Sequence, residues 1–186
     1  MQFYEYELGN LANKLVREIF KIKPGEEFVI TGDTRTDQRL LDATAAAAHS
    51  VGAKPVVITY TFPRGWGSSA DPNLPVNVLS GALKEADAWL EFGILLFAAP
   101  YRAAMKENKK LRYLCLGGSD IDLLVRNIGR VDIPLLNKLM DKVSQKIKNA
   151  KRIQFKSEAG TDLEFEMPKT KDGKHDPNYG VGTDIS

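Results

Sequence analysis

Residues 28–60 read FVITGDTRTDQRLLDATAAAAHSVGAKPVVITY. Two short apolar runs, Phe28–Thr31 and Lys54–Tyr60, flank an alanine-rich stretch. β-Branched and aromatic runs suit strands. Alanine favours helix, and its small side chain lets another backbone approach closely. Thr36 is the expected N-cap of that helix, with Asp37 in its positive first turn. Gly52 is placed to end it. Strand, helix and strand at this spacing form a βαβ unit, which implies parallel pairing and a right-handed crossover. KPVVITY is apolar almost throughout and is expected to be a buried strand.

The same alternation extends on both sides. Leu8, Leu11, Leu15, Ile19 and Phe20 recur at helical spacing, so Tyr4–Lys21 is read as an amphipathic helix that Lys23-Pro24-Gly25 ends. Downstream, Pro75–Glu85, Tyr101–Asn108 and Ser119–Asn127 are predicted helices, and Ala86–Phe92 and Leu111–Leu116 predicted strands. Asp132 opens a longer helix to about Asn149, with Ile133, Leu136, Met140, Val143 and Ile147 on one face. Pro134 sits in its first turn, where a missing N–H costs little. The fold class is therefore α/β: a doubly wound, Rossmann-like parallel sheet of about four strands, over residues 1–150.

Residues 151–186 differ. RIQFKS and TDLEFEM both alternate. A three-residue loop, Glu158-Ala159-Gly160, would oppose Phe155 to Leu163 and Ile153 to Phe165, and on the other face Lys156 to Asp162 and Arg152 to Glu166. A two-residue loop would oppose Phe155 to Glu164 and lose every pair. A β-hairpin is predicted, beginning or joining a second sheet. A hairpin by itself is marginal, and the tail after it offers only Tyr179, Val181 and Ile185 as cover. Its partner strands are expected beyond Ser186 or in another chain, in preference to docking on the α/β body.

Composition narrows the function classes. The 186 residues carry 26 basic and 24 acidic side chains, interspersed, for a net charge of +2. No basic field marks nucleic acid as a partner. One cysteine, Cys115, cannot pair within the chain, which fits a reducing compartment. The first residues lack the basic and apolar blocks of a signal peptide. The most apolar run, AWLEFGILLFAAPY, contains Glu91 and falls short of the roughly 20 residues a membrane span requires. A cytoplasmic protein without membrane contact is expected.

Chemistry-bearing residues are sparse. His49 lies in the alanine-rich helix and reads as a surface or packing histidine. His175 beside Asp176 reads as a loop residue, since one His and one Asp do not make a metal site. Cys115 reads as a buried core thiol. Three loops follow strands: GDTRTD, FAAPYR and LGGSD. Ligands bind at such strand ends in open parallel sheets, yet none is a dinucleotide fingerprint, and Asp33, Arg35, Asp120 and Asp122 read as caps and solvated charges. The longest loop, Thr61–Pro75, places Trp66 between two glycines. It is either an exposed contact or the anchor of the loop.

IKPGEEFVITGDTRTDQRLLDATAAAAHSVGAKPVVITY, then ALKEADAWLEF, then AKRIQFKSEAGTDLEFEM resemble, in order and spacing, the aminopeptidase T family of leucyl aminopeptidases. They resemble equally its relative, 2,5-dihydroxypyridine 5,6-dioxygenase. The AGTDL turn, Ala159–Leu163, is the most specific piece. The resemblance implies the N-terminal portion of a metal-dependent enzyme, with the hairpin marking passage into a second, metal-binding domain. A divalent metal (zinc, cobalt or iron) would be held only there. No catalytic or metal-ligating residue is therefore assigned in this chain. The dioxygenase branch sets a loop of this domain at the pocket of a neighbouring subunit. The matching stretch is Leu95–Arg102, so Leu96, Phe97, Tyr101 and Arg102, with Trp66, are the expected pocket or subunit-contact residues. The dioxygenase carries a histidine in that loop, and this sequence has none, so the aminopeptidase branch is the expected function and the ring-cleaving iron dioxygenase its alternative. A homodimer, or a second chain completing the enzyme, and a small-molecule or peptide substrate are the implied partners. A stand-alone small-ligand module and an assembly subunit are the alternatives.

Overall fold

The parallel sheet is built around two buried central strands. In a computed structural model, which describes residues 5–166, the strands are β1 (Glu27–Asp33), β2 (Lys54–Tyr60), β3 (Ala88–Glu91) and β4 (Arg112–Cys115), in the order β2-β1-β3-β4. β1 and β3 lie in the middle and are buried almost end to end. All pairings are parallel, with Val29 opposite Val56 and Trp89, and Leu90 opposite Leu114. The Trp89 indole N–H donates to Thr31 Oγ1 at 2.9 Å, tying the two central strands through side chains.

Helices cover both faces. The Glu5–Asn13 helix (α1), the Gln38–Ser50 helix (α2) and the short Ile121–Leu124 helix (α5) share one core with Phe28, Ile30 and Leu90. The Val76–Glu85 helix (α3) and the Ala99–Glu107 helix (α4) share the other with Val29, Trp89 and Leu95. The doubly wound sheet expected from the sequence is present.

Details differ from expectation. KPVVITY is β2, an edge strand, and Val56 is 47% exposed. An apolar run states strand propensity but not position in the sheet. The N-cap of α2 is Asp37, whose carboxylate accepts from Arg39 N at 3.0 Å. The Thr36 hydroxyl instead accepts from Asp33 N at 3.0 Å, closing the loop behind it. The first helix stops being α at Asn13 and continues as a wider π-type coil over Lys14–Ile19. The helix after β4 does the same over Val125–Gly129. Cys115 is half-buried rather than buried.

Contacts divide the chain into two compact units between Val131 and Asp132. The sequence reading set its boundary at residue 150, the other end of the helix Ile133–Asn149 (α6). Asp132 caps α6 by accepting from Leu135 N. Of its expected apolar face, Ile133 is buried, Leu136, Met140 and Val143 are exposed and Ile147 is half-buried; Leu135 and Leu139 are exposed as well.

The hairpin pairs β5 (Arg152–Lys156) with β6 (Asp162–Glu166) in the predicted register: Phe155 opposite Leu163, Ile153 opposite Phe165. Gly160 has φ +99°, the left-handed turn position. Lys156 pairs with Asp162 at 3.3 Å, but Arg152 reaches diagonally to Glu164 at 2.9 Å rather than straight across to Glu166. Phe155, Leu163 and Phe165 remain exposed. His175, Asp176 and the tail apolar residues lie outside the described residues.

Candidate functional site

The chain leaves β1 toward β2 at one edge and returns to β3 on the other side of β1. The loops after β1 and β3 therefore diverge, and a crevice opens at their carboxyl ends, as topology requires. Its volume is about 200 Å³, and its walls include Asp33, Arg35, Phe62, Phe92, Ile94 and Ser119. The GDTRTD and LGGSD loops, far apart in sequence, thus meet at one place. Asp33 is buried, and one carboxylate oxygen accepts from Arg35 N at 2.8 Å. The Arg35 guanidinium lies 4.2 Å from the Phe62 ring centroid. Asp37 is held by Arg39 at 2.7 Å, whose hydrogen bonds keep its carboxyl below the usual range despite partial burial. Asp120 caps α5 through Leu123 N, and Asp122 pairs with Arg126. Those two match their reading as cap and solvated charge.

Glu91, which in the sequence marks only the charge inside the most apolar run, braces the loop after β3. It ends β3 and is wholly buried. Its carboxylate accepts from Leu95 N, from Leu96 N at 3.2 Å and from the Tyr113 hydroxyl. Burial pushes its pKa up, and those three donors pull part of the way back. Beside it, the Tyr60 hydroxyl accepts from Ile94 N at 2.9 Å. Burial first, and then the Glu91 charge, raise the pKa of Cys115 too, so the thiol is kept protonated rather than activated. The turn after β3 is thereby gripped from beneath by Glu91 and Tyr60. The one available signal was a lone carboxylate inside an apolar run.

That grip presents the expected contact loop. Phe97 has φ +63° and is 57% exposed, as is Trp66 at 57%. Gly67 packs directly on Phe97. The Phe97 and Tyr101 rings meet edge to face at 5.6 Å. Arg102 donates to Phe97 O and pairs with Asp71 at 2.7 Å. Asp71 also accepts from Ala99 N at 2.6 Å, so a residue of the long loop caps α4. Burial raises the Asp71 pKa, but Ala99 N–H and Arg102 outweigh it and hold the carboxyl below its ordinary value. Trp66, Phe97, Tyr101 and Arg102 therefore gather where two loops lock, while Leu96 is half-buried under them.

Among the described residues no group of three or more His, Cys, Asp and Glu side chains is placed to hold a metal ion. The crevice carboxylates each spend an oxygen on a local donor, and His49 is exposed near the end of α2. These residues do not fit a catalytic metal.

A doubly wound α/β unit with a switch-point crevice, followed by a separate antiparallel hairpin, defines the class. Residues 12–184 match the family model described as NicX, 2,5-dihydroxypyridine 5,6-dioxygenase, and the chain belongs to that family. No curated protein matches it. Among solved structures, 2,5-dihydroxypyridine dioxygenase from Pseudomonas putida is similar at TM-score 0.66 and 17% identity, over 87% of this chain and 47% of that one. AmpT, the aminopeptidase T of Thermus thermophilus, is similar at TM-score 0.58 and 16% identity, over 93% of this chain and 59% of that one. The chain thus spans about half the length of these two structures.

Proposed function

We propose that this chain forms the α/β portion of a metal-dependent enzyme of this family, shaping a pocket wall and a subunit contact. The observation carrying this reading is the match over residues 12–184, together with the locked display of Phe97, Tyr101 and Trp66 beside Asp71–Arg102. The exposed rings of Phe97 and Trp66 on two braced loops suit contact with a flat substrate or a neighbouring subunit. The metal would be held by groups outside the described residues. Ring opening of a hydroxylated pyridine with oxygen is the chemistry the family match favours. Amide hydrolysis is the second reading, favoured because Leu95–Arg102 contains no histidine.

Native mass spectrometry of the protein from its own source, with metal content measured on the same sample, tests this. The expected result is an assembly that contains bound metal. Oxygen uptake with a dihydroxypyridine, or release of the N-terminal residue from a dipeptide, then separates the two chemistries. A metal-free assembly of 20.6 kDa chains refutes the enzyme reading.

A further inference from the structure

The switch-point crevice has features that cap roles do not absorb. Asp33 is 4% exposed and lines the crevice, yet only one of its oxygens has a hydrogen bond, from Arg35 N. Among the described residues Asp33 has no ion-pair partner, and neither has the Arg35 guanidinium, which rests on the Phe62 ring. A buried carboxylate without a cation is costly, and an Arg held on an aromatic face is preorganised for an incoming anion. Asp37, Ser119 and Asp120 also line the crevice, with the rings of Phe62 and Phe92 and with Ile94.

Size and charge select the occupant. About 200 Å³ exceeds the roughly 150 Å³ that accepts a benzene and falls below the roughly 300–1,000 Å³ of larger ligand sites. A dinucleotide is too big. A simple anion would meet Arg35 but also the Asp33, Asp37 and Asp120 carboxylates, of which Asp37 is paired with Arg39 and Asp120 accepts from Leu123 N. A simple cation would meet Asp33 but also the guanidinium. A molecule carrying both charges satisfies both groups and leaves an apolar part for Phe62, Phe92 and Ile94.

We propose that this crevice binds a small zwitterion, an α-amino acid with a short branched side chain, its ammonium on Asp33 and its carboxylate on Arg35. The site uses no metal and is independent of the family chemistry above.

The test is an amide NMR titration of the full chain with L-valine, L-valinamide and 3-methylbutanoate. The last two lack the carboxylate and the ammonium respectively. Valine is expected to shift amides of residues 33–37 and 118–120, and to bind at least tenfold more tightly than either analogue. Arg35→Gln changes an exposed side chain and should leave the unfolding midpoint in place. It should weaken valine at least tenfold while leaving valinamide unchanged. Asp33→Asn should weaken valine and valinamide but not 3-methylbutanoate. Should Asp33→Asn fail to fold, the ligand trio and Arg35→Gln decide the matter. Absence of valine shifts at those amides, equal binding of all three compounds, or valine affinity unchanged by Arg35→Gln would overturn the proposal.

Discussion

Glu91 adds to the α/β unit a pH dependence opposite in sign to that of Asp37 and Asp71. Its folded pKa is raised above 4.5 by burial. As pH climbs, the unfolded chain loses this proton first while the folded chain keeps it. Stability from this group is therefore complete below the unfolded pKa and is lost as pH rises through the folded value. Glu91→Gln should remove that component, so the melting temperature of the variant relative to the parent should rise from acid to neutral pH, the opposing contributions of Asp37 and Asp71 cancelling in the difference. Glu91→Ala should cost about 1–3 kcal/mol, because buried donors at Leu95, Leu96 and Tyr113 lose their acceptor. A second residue-scale constraint is Gly117. A Cβ there would stand 2.0 Å from the Gly93 carbonyl oxygen. Backbone cannot yield as a side-chain tip does, so Gly117→Ala should cost about 1–3 kcal/mol in chemical denaturation. An unchanged midpoint would show that the ends of β3 and β4 separate easily.

At the scale of elements, legibility followed locality. The hairpin register was readable because two apolar and two charged pairs fall into place together, and only the Arg152 ion pair moved, to a diagonal neighbour. The cap of α6 was readable from Asp132 and Pro134. The edge position of β2 was not, since crossover direction is a property of the whole sheet. Nor was the role of Glu91, whose partner Tyr113 belongs to another strand. Trp66 and the Leu95–Arg102 loop were each read as contact candidates, but the Asp71 link between them depends on tertiary folding. Asp71→Ala should cost about 1 kcal/mol by uncapping α4 and should raise the susceptibility of residues 61–75 to limited proteolysis. Exposure separates two leucines of equal chemistry. Leu11→Ala removes a fully buried side chain and should cost about 2–5 kcal/mol. Leu139→Ala on α6 begins from 56% exposure and should stay within about 0.5 kcal/mol in this chain. A large loss at Leu139 would show that its face is covered in solution.

For the molecule as a whole, the β2 edge faces the choice between pairing and solubility. Lys54 N and Tyr60 O both bond toward β1, so by strand alternation Pro55, Val57 and Thr59 turn their backbone groups outward. Proline has no N–H to offer, and Lys54 adds charge at the start of the strand. Any strand from another molecule zipping along this edge would run into a missing rung early in the ladder. Val56 and Val57 can therefore stay exposed without making the edge a seed for polymerisation. Replacing Pro55 by threonine would restore the rung, and concentrated solutions should then turn turbid sooner, with thioflavin-positive material appearing at lower protein concentration. Pro55 acts here as a gatekeeper, restraining β2 from aggregation while it keeps its place in the sheet.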